Sequence, residues 1–272
     1  MNDAPRRTLQ ALQGESPWVK DAPRGVYVHR DSGEERAAVT SVVKCLDQGP
    51  GLRWAVELER ERFRGHIEKS HEAAAQLSQA GVATESVLVN LVLRLKNAAR
   101  YEPLACDEVR NAAASAGQRL HRLIAWGLDG KQGPQPSYDV DLRHAATEFG
   151  KWLRNVRPVT LATELTVAGE AGYAGTLDAY LEIEGLGRTV VDFKSGRRLY
   201  STAMVQAAAY ATALREGGDP VDALMVVHLP VAPDVATLGP LSLKGTEAIE
   251  ELYRDAFLPA LAVWRWRQGA RQ

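Results

Sequence analysis

The run VVDFKSG at 190–196 puts two opposite charges, Asp192 and Lys194, into a β-branched stretch that ends at a glycine. Alternate side chains of a strand share a face, so Asp192 and Lys194 point one way while Val191 and Phe193 point the other. Burying such a pair is costly unless it is compensated, and a carboxylate is compensated by a cation, either a metal ion or the lysine itself. An exposed ion pair on a half-solvated strand is the simpler account of an isolated DxK, and three further features weigh against it. The first is Asp178 in GTLD, on the preceding strand. With Gly185-Leu186-Gly187 as a three-residue loop, pairing Glu184 with Arg188 sets Asp178 opposite Lys194 and on the face of Asp192. A loop of the other parity would separate the two carboxylates. Two hard oxygen ligands with room for water suit magnesium or manganese better than zinc. The second feature is Gln206 and Tyr210 in QAAAY, one helical turn apart on a shared face, with three alanines that permit close approach to a sheet. The third is Gly117 and His121 in AGQRLH, again one turn apart, where small residues let a helix press on the sheet and deliver an imidazole. QxxxY alone fits an ordinary amphipathic helix, and a lone helical histidine is more often surface or core.

These residues need elements to hold them. Residues 1–24 read as a flexible tail and 25–106 as a mainly helical N-terminal region. Within that region GVYVHRDSGEE forms a strand and turn, VTSVVKCLD a helix capped by Thr40 or Ser41, and two long helical patterns meet at Gly81. From 107 to 272 the pattern is a helix over DEVRNAAASAGQRLHRLIAWGLDG, then strands in PVTLATELTVAG, GYAGTLDAYLEIE and RTVVDFKS. A helix over STAMVQAAAYATALREGG, a buried strand in VDALMVVHLP and a last helix over TEAIEELYRDAFLPALAVWRWR follow. That order predicts an α/β fold with a central mixed β-sheet flanked by helices.

Taken in order, His121, Asp178, Asp192-Phe193-Lys194, Gln206 and Tyr210 resemble the PD-(D/E)XK nuclease superfamily. The helix-borne histidine and QxxxY are similar to its RecB-like branch, which includes CRISPR-associated RecB-like exonucleases and many phage exonucleases. The resemblance runs from about 107 to 230, and Leu177 stands where the motif's proline would be. It implies a restriction-endonuclease-like core. It also implies that His121, Asp178, Asp192 and the Phe193 carbonyl ligate Mg2+ or Mn2+, and that a water activated there attacks the phosphodiester in line. Lys194 would orient or deprotonate that water or stabilise developing charge, and Gln206 and Tyr210 would position the DNA backbone or support Lys194. Glu164, in ATELTV, is a candidate for a second metal or a supporting role, and equally a cross-strand partner for an arginine. The cysteines that hold an iron–sulfur cluster in some relatives have no counterpart, so no such cluster is expected.

Composition excludes little else. Thirty-three Lys and Arg nearly balance 34 Asp and Glu, so a polyanion site has to be built locally. Cys45 and Cys106 are in no metal-ligand spacing and suit a reducing compartment. His71-Glu72 lacks the second histidine of HExxH, the glycines of GEAGYAG do not form GxGxxG, and GxSxG is absent. His66, His144 and His228 show no partner in the sequence, and Trp264 and Trp266 in VWRWRQGAR fit core docking ahead of base stacking. The expectation is a cytoplasmic, bacterial or phage-encoded DNA exonuclease of recombination, repair or phage DNA processing, acting on single- or double-stranded linear ends. A recombination or replication protein is a conceivable partner, and no membrane segment is seen. The alternatives are a restriction-type endonuclease and a non-catalytic nucleic-acid-binding module of the same fold.

Overall fold

A computed structural model of the 272-residue chain describes residues 16–46, 52–80, 89, 92–93, 96–97, 102–130 and 140–270. The chain divides into two units, 48–115 and the remainder.

In the larger unit an eight-stranded mixed sheet is built from β1 (Trp18–Asp21), β2 (Val26–His29), β3 (Glu35–Ala38), β4 (Val159–Gly169), β5 (Tyr173–Ile183), β6 (Gly187–Lys194), β7 (Ala223–His228) and β8 (Leu241–Lys244). Its order is β1-β2-β3-β5-β6-β7-β8, with β4 paired along the other edge of β5. The pairs β3–β5 and β6–β7 are parallel and the rest antiparallel. β6 is buried from Thr189 to Phe193, as a strand covered on both faces should be, and that burial takes in the charged Asp192.

Helices cover both faces. On one, α1 (Val39–Val43), the QxxxY helix Thr202–Glu216 and the C-terminal helices enclose Val42, Leu177, Tyr180, Val190, Leu224 and Phe257. On the other, residues 116–128 and the helix Arg143–Val156 enclose Leu120, Ile124, Phe149, Trp152, Val191 and Phe193. The rings of Phe149 and Trp152 meet Phe193 edge-on, at 6.0 and 5.4 Å between centroids. In chain order the remaining α-helices among the described residues are α2 (Leu52–Gln79), α3 (Ala105–Leu128), α4 (Arg143–Val156), α5 (Thr202–Glu216), α6 (Thr246–Leu252) and α7 (Leu258–Gly269), the last two joined by a π-helical turn at Tyr253–Phe257.

The smaller unit contains α2 and the first turns of α3. Arg62 binds Glu108 and the Pro103 carbonyl, Glu59 accepts the Ala105 N–H, and His66 lies 3.1 Å from Glu102. Val56, Phe63 and Ile67 are exposed along α2.

Several expectations need correction. β1 lies inside the stretch read as a tail, because its alternate residues Trp18 and Lys20 pair across to His29 and Tyr27 and add an edge to the sheet. The region expected to be mainly helical also supplies β2 and β3. α1 starts at Val39 with Ala38 as its N-cap and no capping side chain, so neither Thr40 nor Ser41 caps it. The last helix is interrupted by the π turn, and α4 and β8 were not foreseen. The second long helical pattern of the N-terminal region falls largely outside the described residues. Among the described residues no helix is long and apolar enough to cross a membrane.

Candidate active site

β5 and β6 pair from Ile183↔Gly187 to Ala179↔Val191 and then part. The loop is therefore Glu184-Gly185-Leu186, one residue earlier than expected. The same register continued sets Asp178 opposite Asp192 rather than Lys194. Loop parity is unchanged by that shift, and the two carboxylates stay in register with each other. Gly185 and Gly187, with φ of 78° and 77°, supply the left-handed positions that such a tight loop requires.

Where the ladder ends, side chains replace it. The Phe193 N–H donates to Asp178 Oδ2 at 2.7 Å, and Asp178 Oδ1 lies 3.1 Å from His121 Nδ1. On the other edge of β5, Glu164 falls opposite Asp178 between the pairs Thr163↔Ala179 and Leu165↔Leu177. Its φ of 47° is left-handed, uncommon for a residue with a side chain. Both strands slip their alternation here: Ala162 and Leu165 reach one core, as do Leu177 and Tyr180, although each pair is separated by an odd step. The slip frees Glu164 and Asp178 from either core. Ligand atoms of His121, Glu164 and Asp178 all lie within 4.8 Å of one another.

Asp192 stands apart from that trio. Its side chain is 1% exposed, and Lys194 Nζ donates to Oδ1 at 3.0 Å while lying 2.8 Å from Oδ2. Oδ2 accepts no hydrogen bond, because proximity to the ammonium is not matched by donor geometry. Lys194 Nζ also donates to Gln206 Oε1 at 3.1 Å, and Gln206 Nε2 donates to the Tyr210 hydroxyl at 3.0 Å. Asp192 is sealed from solvent beneath α5. Close packing of α5 depends on Gly175, where an added Cβ would stand 2.5 Å from Tyr210 Cε1. On α3, an added Cβ at Gly117 would meet Ser195 Oγ at 3.2 Å, so the small residue brings this helix to the end of β6.

Charge is concentrated accordingly. Burial pushes the Asp192 carboxyl up to about 6; Lys194 opposes this and Asp178 adds to it. Burial works against the Lys194 ammonium, but Asp192 and then Asp178 more than offset it and hold its pKa above the ordinary value. For His121, burial is likewise outweighed, first by the Asp178 hydrogen bond and then by the charges of Asp178, Asp192 and Glu164, so its pKa is raised. Glu164 keeps much of its surface in solvent, yet local desolvation and the Asp178 charge raise its pKa against the pull of His121 and Lys20. Burial, then the Asp192 and Asp178 charges, drive the Tyr210 hydroxyl well above its usual range.

The arrangement offers a divalent cation one imidazole and two carboxylates, with the Asp192 oxygen as a further hard donor, and that donor chemistry fits magnesium or manganese. The Phe193 ring is buried against Phe149 and Trp152, which fixes the backbone that carries the expected carbonyl ligand. Sequence reasoning missed Lys20, whose charge acts on Glu164. It also missed the hydroxyl chain Tyr27–Thr176–Thr166, linked at 3.0 Å per step, one strand row from Asp178 and Glu164. Alternation in VYVH was the available signal. His228, expected to lack partners, is buried with Nε2 donating to Gly196 O at 2.8 Å and Nδ1 accepting from Leu238 N–H at 3.3 Å. Trp264 packs on the core, and Trp266 is 70% exposed.

No family model matches the chain, and no curated protein matches it. Among solved structures, an alkaline exonuclease from Laribacter hongkongensis is 15% identical, with 58% of this chain and 87% of that one covered and a TM-score of 0.29. The same exonuclease in complex with dAMP is 14% identical, covering 57% and 85%, with a TM-score of 0.30. The likeness at this level is partial and assigns no residue of the site.

Proposed function

We propose that the chain is a divalent-metal-dependent DNA nuclease of the PD-(D/E)XK type, acting as an exonuclease at linear ends. One observation carries this reading: the β5–β6 ladder opens onto His121, Glu164 and Asp178 within 4.8 Å of one another, beside a buried Asp192–Lys194–Gln206–Tyr210 chain. His121, Glu164, Asp178 and Asp192 would hold the cation. When bound, the cation polarises the scissile phosphate and lowers the pKa of an attacking water.

The protein's own groups do the rest. Lys194 stays an ammonium, since Asp192 and Asp178 hold its proton, so it orients the water and stabilises charge on the phosphate oxygens rather than removing a proton. Gln206 fixes Nζ by accepting a hydrogen bond from one of its three N–H groups, and Tyr210 fixes Gln206. Asp178 orients His121 through Nδ1 and ties it to the backbone of the Asp192 strand through Phe193.

The deciding experiment incubates the full chain with end-labelled linear DNA and closed circular DNA in Mg2+, Mn2+ or EDTA, beside Asp192→Asn. Metal-dependent loss of the linear substrate alone, absent in the variant, is expected. Cutting of the circle would make the enzyme an endonuclease, and intact DNA in every lane would overturn the reading.

A further inference from the structure

The crossing from β6 to α5, residues 195–201, leaves Lys194 and returns to the helix that carries Gln206 and Tyr210. Its base is fastened on several sides. The Leu229 N–H donates to Lys194 O at 2.8 Å, the Val231 N–H to Ser195 O at 3.1 Å, and His228 Nε2 to Gly196 O at 2.8 Å. Its far end is tied by the Ala203 N–H, which donates to Tyr200 O at 3.1 Å, and Arg197 is occupied by Asp234 at 2.5 Å. Two large exposed side chains remain. Arg198 is exposed and has no ion pair among the described residues, and Tyr200 is 50% exposed.

A pinned backbone thus displays an aromatic ring and an unpaired guanidinium at the carboxyl end of the site's central strand. Tyr200 stands two residues before the start of α5, and the four residues from Thr202 to Gln206 rise about 6 Å along that helix, which sets Tyr200 beyond them, in the range of a flanking nucleotide rather than of the reacting phosphate. An aromatic face binds any base by stacking, and a guanidinium binds phosphate without regard to sequence. Inside an intact duplex both base faces are already stacked, so a protein ring can take only an unpaired base.

We propose that Tyr200 stacks on an unpaired base beside the scissile phosphate while Arg198 binds that nucleotide's phosphate, so that the substrate is a single strand or the frayed end of a duplex. The proposal rests on the nuclease reading for its cleavage arm only. In steady-state cleavage of an end-labelled single strand with Mg2+ or Mn2+, Tyr200→Ala should raise KM about 10-fold with kcat little changed, and Tyr200→Trp should restore it. Moving one abasic nucleotide along the strand should locate a position that costs the wild type the same factor and costs Tyr200→Ala nothing more. Wild-type KM in Tyr200→Ala, or losses that add in full, would overturn the proposal. Anisotropy of a fluorescent single strand in EDTA tests it without catalysis. Tyr200→Ala should weaken binding about 10-fold and Arg198→Ala should flatten its salt dependence. Unchanged binding overturns the stacking whether or not the chain cuts. A wild type that binds through Tyr200 but never cuts removes the nuclease reading and leaves the stacking in place.

Discussion

The two ends of the β5–β6 ladder contain similar residues and treat them differently. At the hairpin end a hollow of about 650 Å3 is lined by charged groups that include Arg157, Glu182, Asp222 and Lys244. Its charges find ordinary partners: Asp222 accepts the Arg188 N–H at 2.8 Å, Lys244 donates to Gly185 O at 2.7 Å, and Arg188 lies 3.7 Å from Glu182. At the open end Asp192 is sealed with a single ammonium and one oxygen without a hydrogen bond, while His121, Glu164 and Asp178 crowd the ladder's exit. The end with the hollow is the quieter one. Unanswered charge, rather than volume, marks where this sheet can do chemistry.

The sharpest way to break that contrast exchanges one carboxylate at each end. Asp192→Asn keeps the side-chain volume and removes a hard anionic donor, so single-turnover cleavage should fall on the order of 10³-fold. Asp222→Ala should leave cleavage at the wild-type rate and cost about 1 kcal/mol of stability through the lost Arg188 hydrogen bond. Equal losses of cleavage in the two variants would dissolve the distinction.

Much of the open end was legible because it obeys periodicity. The i, i+2 spacing of Asp192 and Lys194 put them together at 2.8 Å, and the i, i+4 spacing of Gln206 and Tyr210 put them together at 3.0 Å. Register was less legible, since Gly185 and Gly187 both accept positive φ and the turn could close one residue either way. Glu164 was ambiguous for a different reason: its left-handed backbone breaks the alternation on which strand reading depends. α4 was unseen because no single motif announces RHAATEFGKWLRNV, although its buried Ala145, Phe149 and Trp152 follow helical spacing.

Acidity distinguishes the two ends next. In the metal-free chain Asp192 titrates near 6 when folded against an ordinary 3.8, so the native state holds a proton that the unfolded chain releases between those values. Its contribution is therefore most favourable below the lower value and diminishes as pH rises through about 6. His121, raised above its ordinary 6.5, adds in the same sense: its charged form stabilises the native state below 6.5, and that help is lost as pH rises through the folded value. Thermal unfolding in EDTA should show wild-type Tm falling relative to Asp192→Asn between pH 4.5 and 7. The difference between wild type and Asp222→Ala should stay level over the same range. Parallel curves for wild type and Asp192→Asn would contradict a buried, strained carboxylate.

Packing gives a smaller and more selective contrast. Gly175→Ala brings a methyl to 2.5 Å from Tyr210 Cε1 and 3.1 Å from Val39, and Gly187→Ala brings one to 2.5 Å from Asp222 Oδ2 at a φ of 77°. Each should lower stability by about 1–3 kcal/mol in denaturant titration. Only Gly175→Ala should also slow cleavage, because Tyr210 holds the Gln206 that holds Lys194.

The smallest effect is the most diagnostic of what the open end is for. Glu164 and Arg157 have nearly the same left-handed backbone, with φ of 47° and 48°, one beside His121 and Asp178 in the proposed metal site and the other lining the hollow at the hairpin end. A side chain there costs about 1–2 kcal/mol, and glycine returns part of that against its own loss of chain entropy. Glu164→Gly and Arg157→Gly should each therefore raise stability by up to about 1 kcal/mol. If Glu164 is retained only as a turn residue, the two variants should need the same Mn2+ concentration for half-maximal cleavage. If its carboxylate is a ligand, Glu164→Gly alone should need more, and a strained residue that weakens metal use when it is relieved is strain held for function.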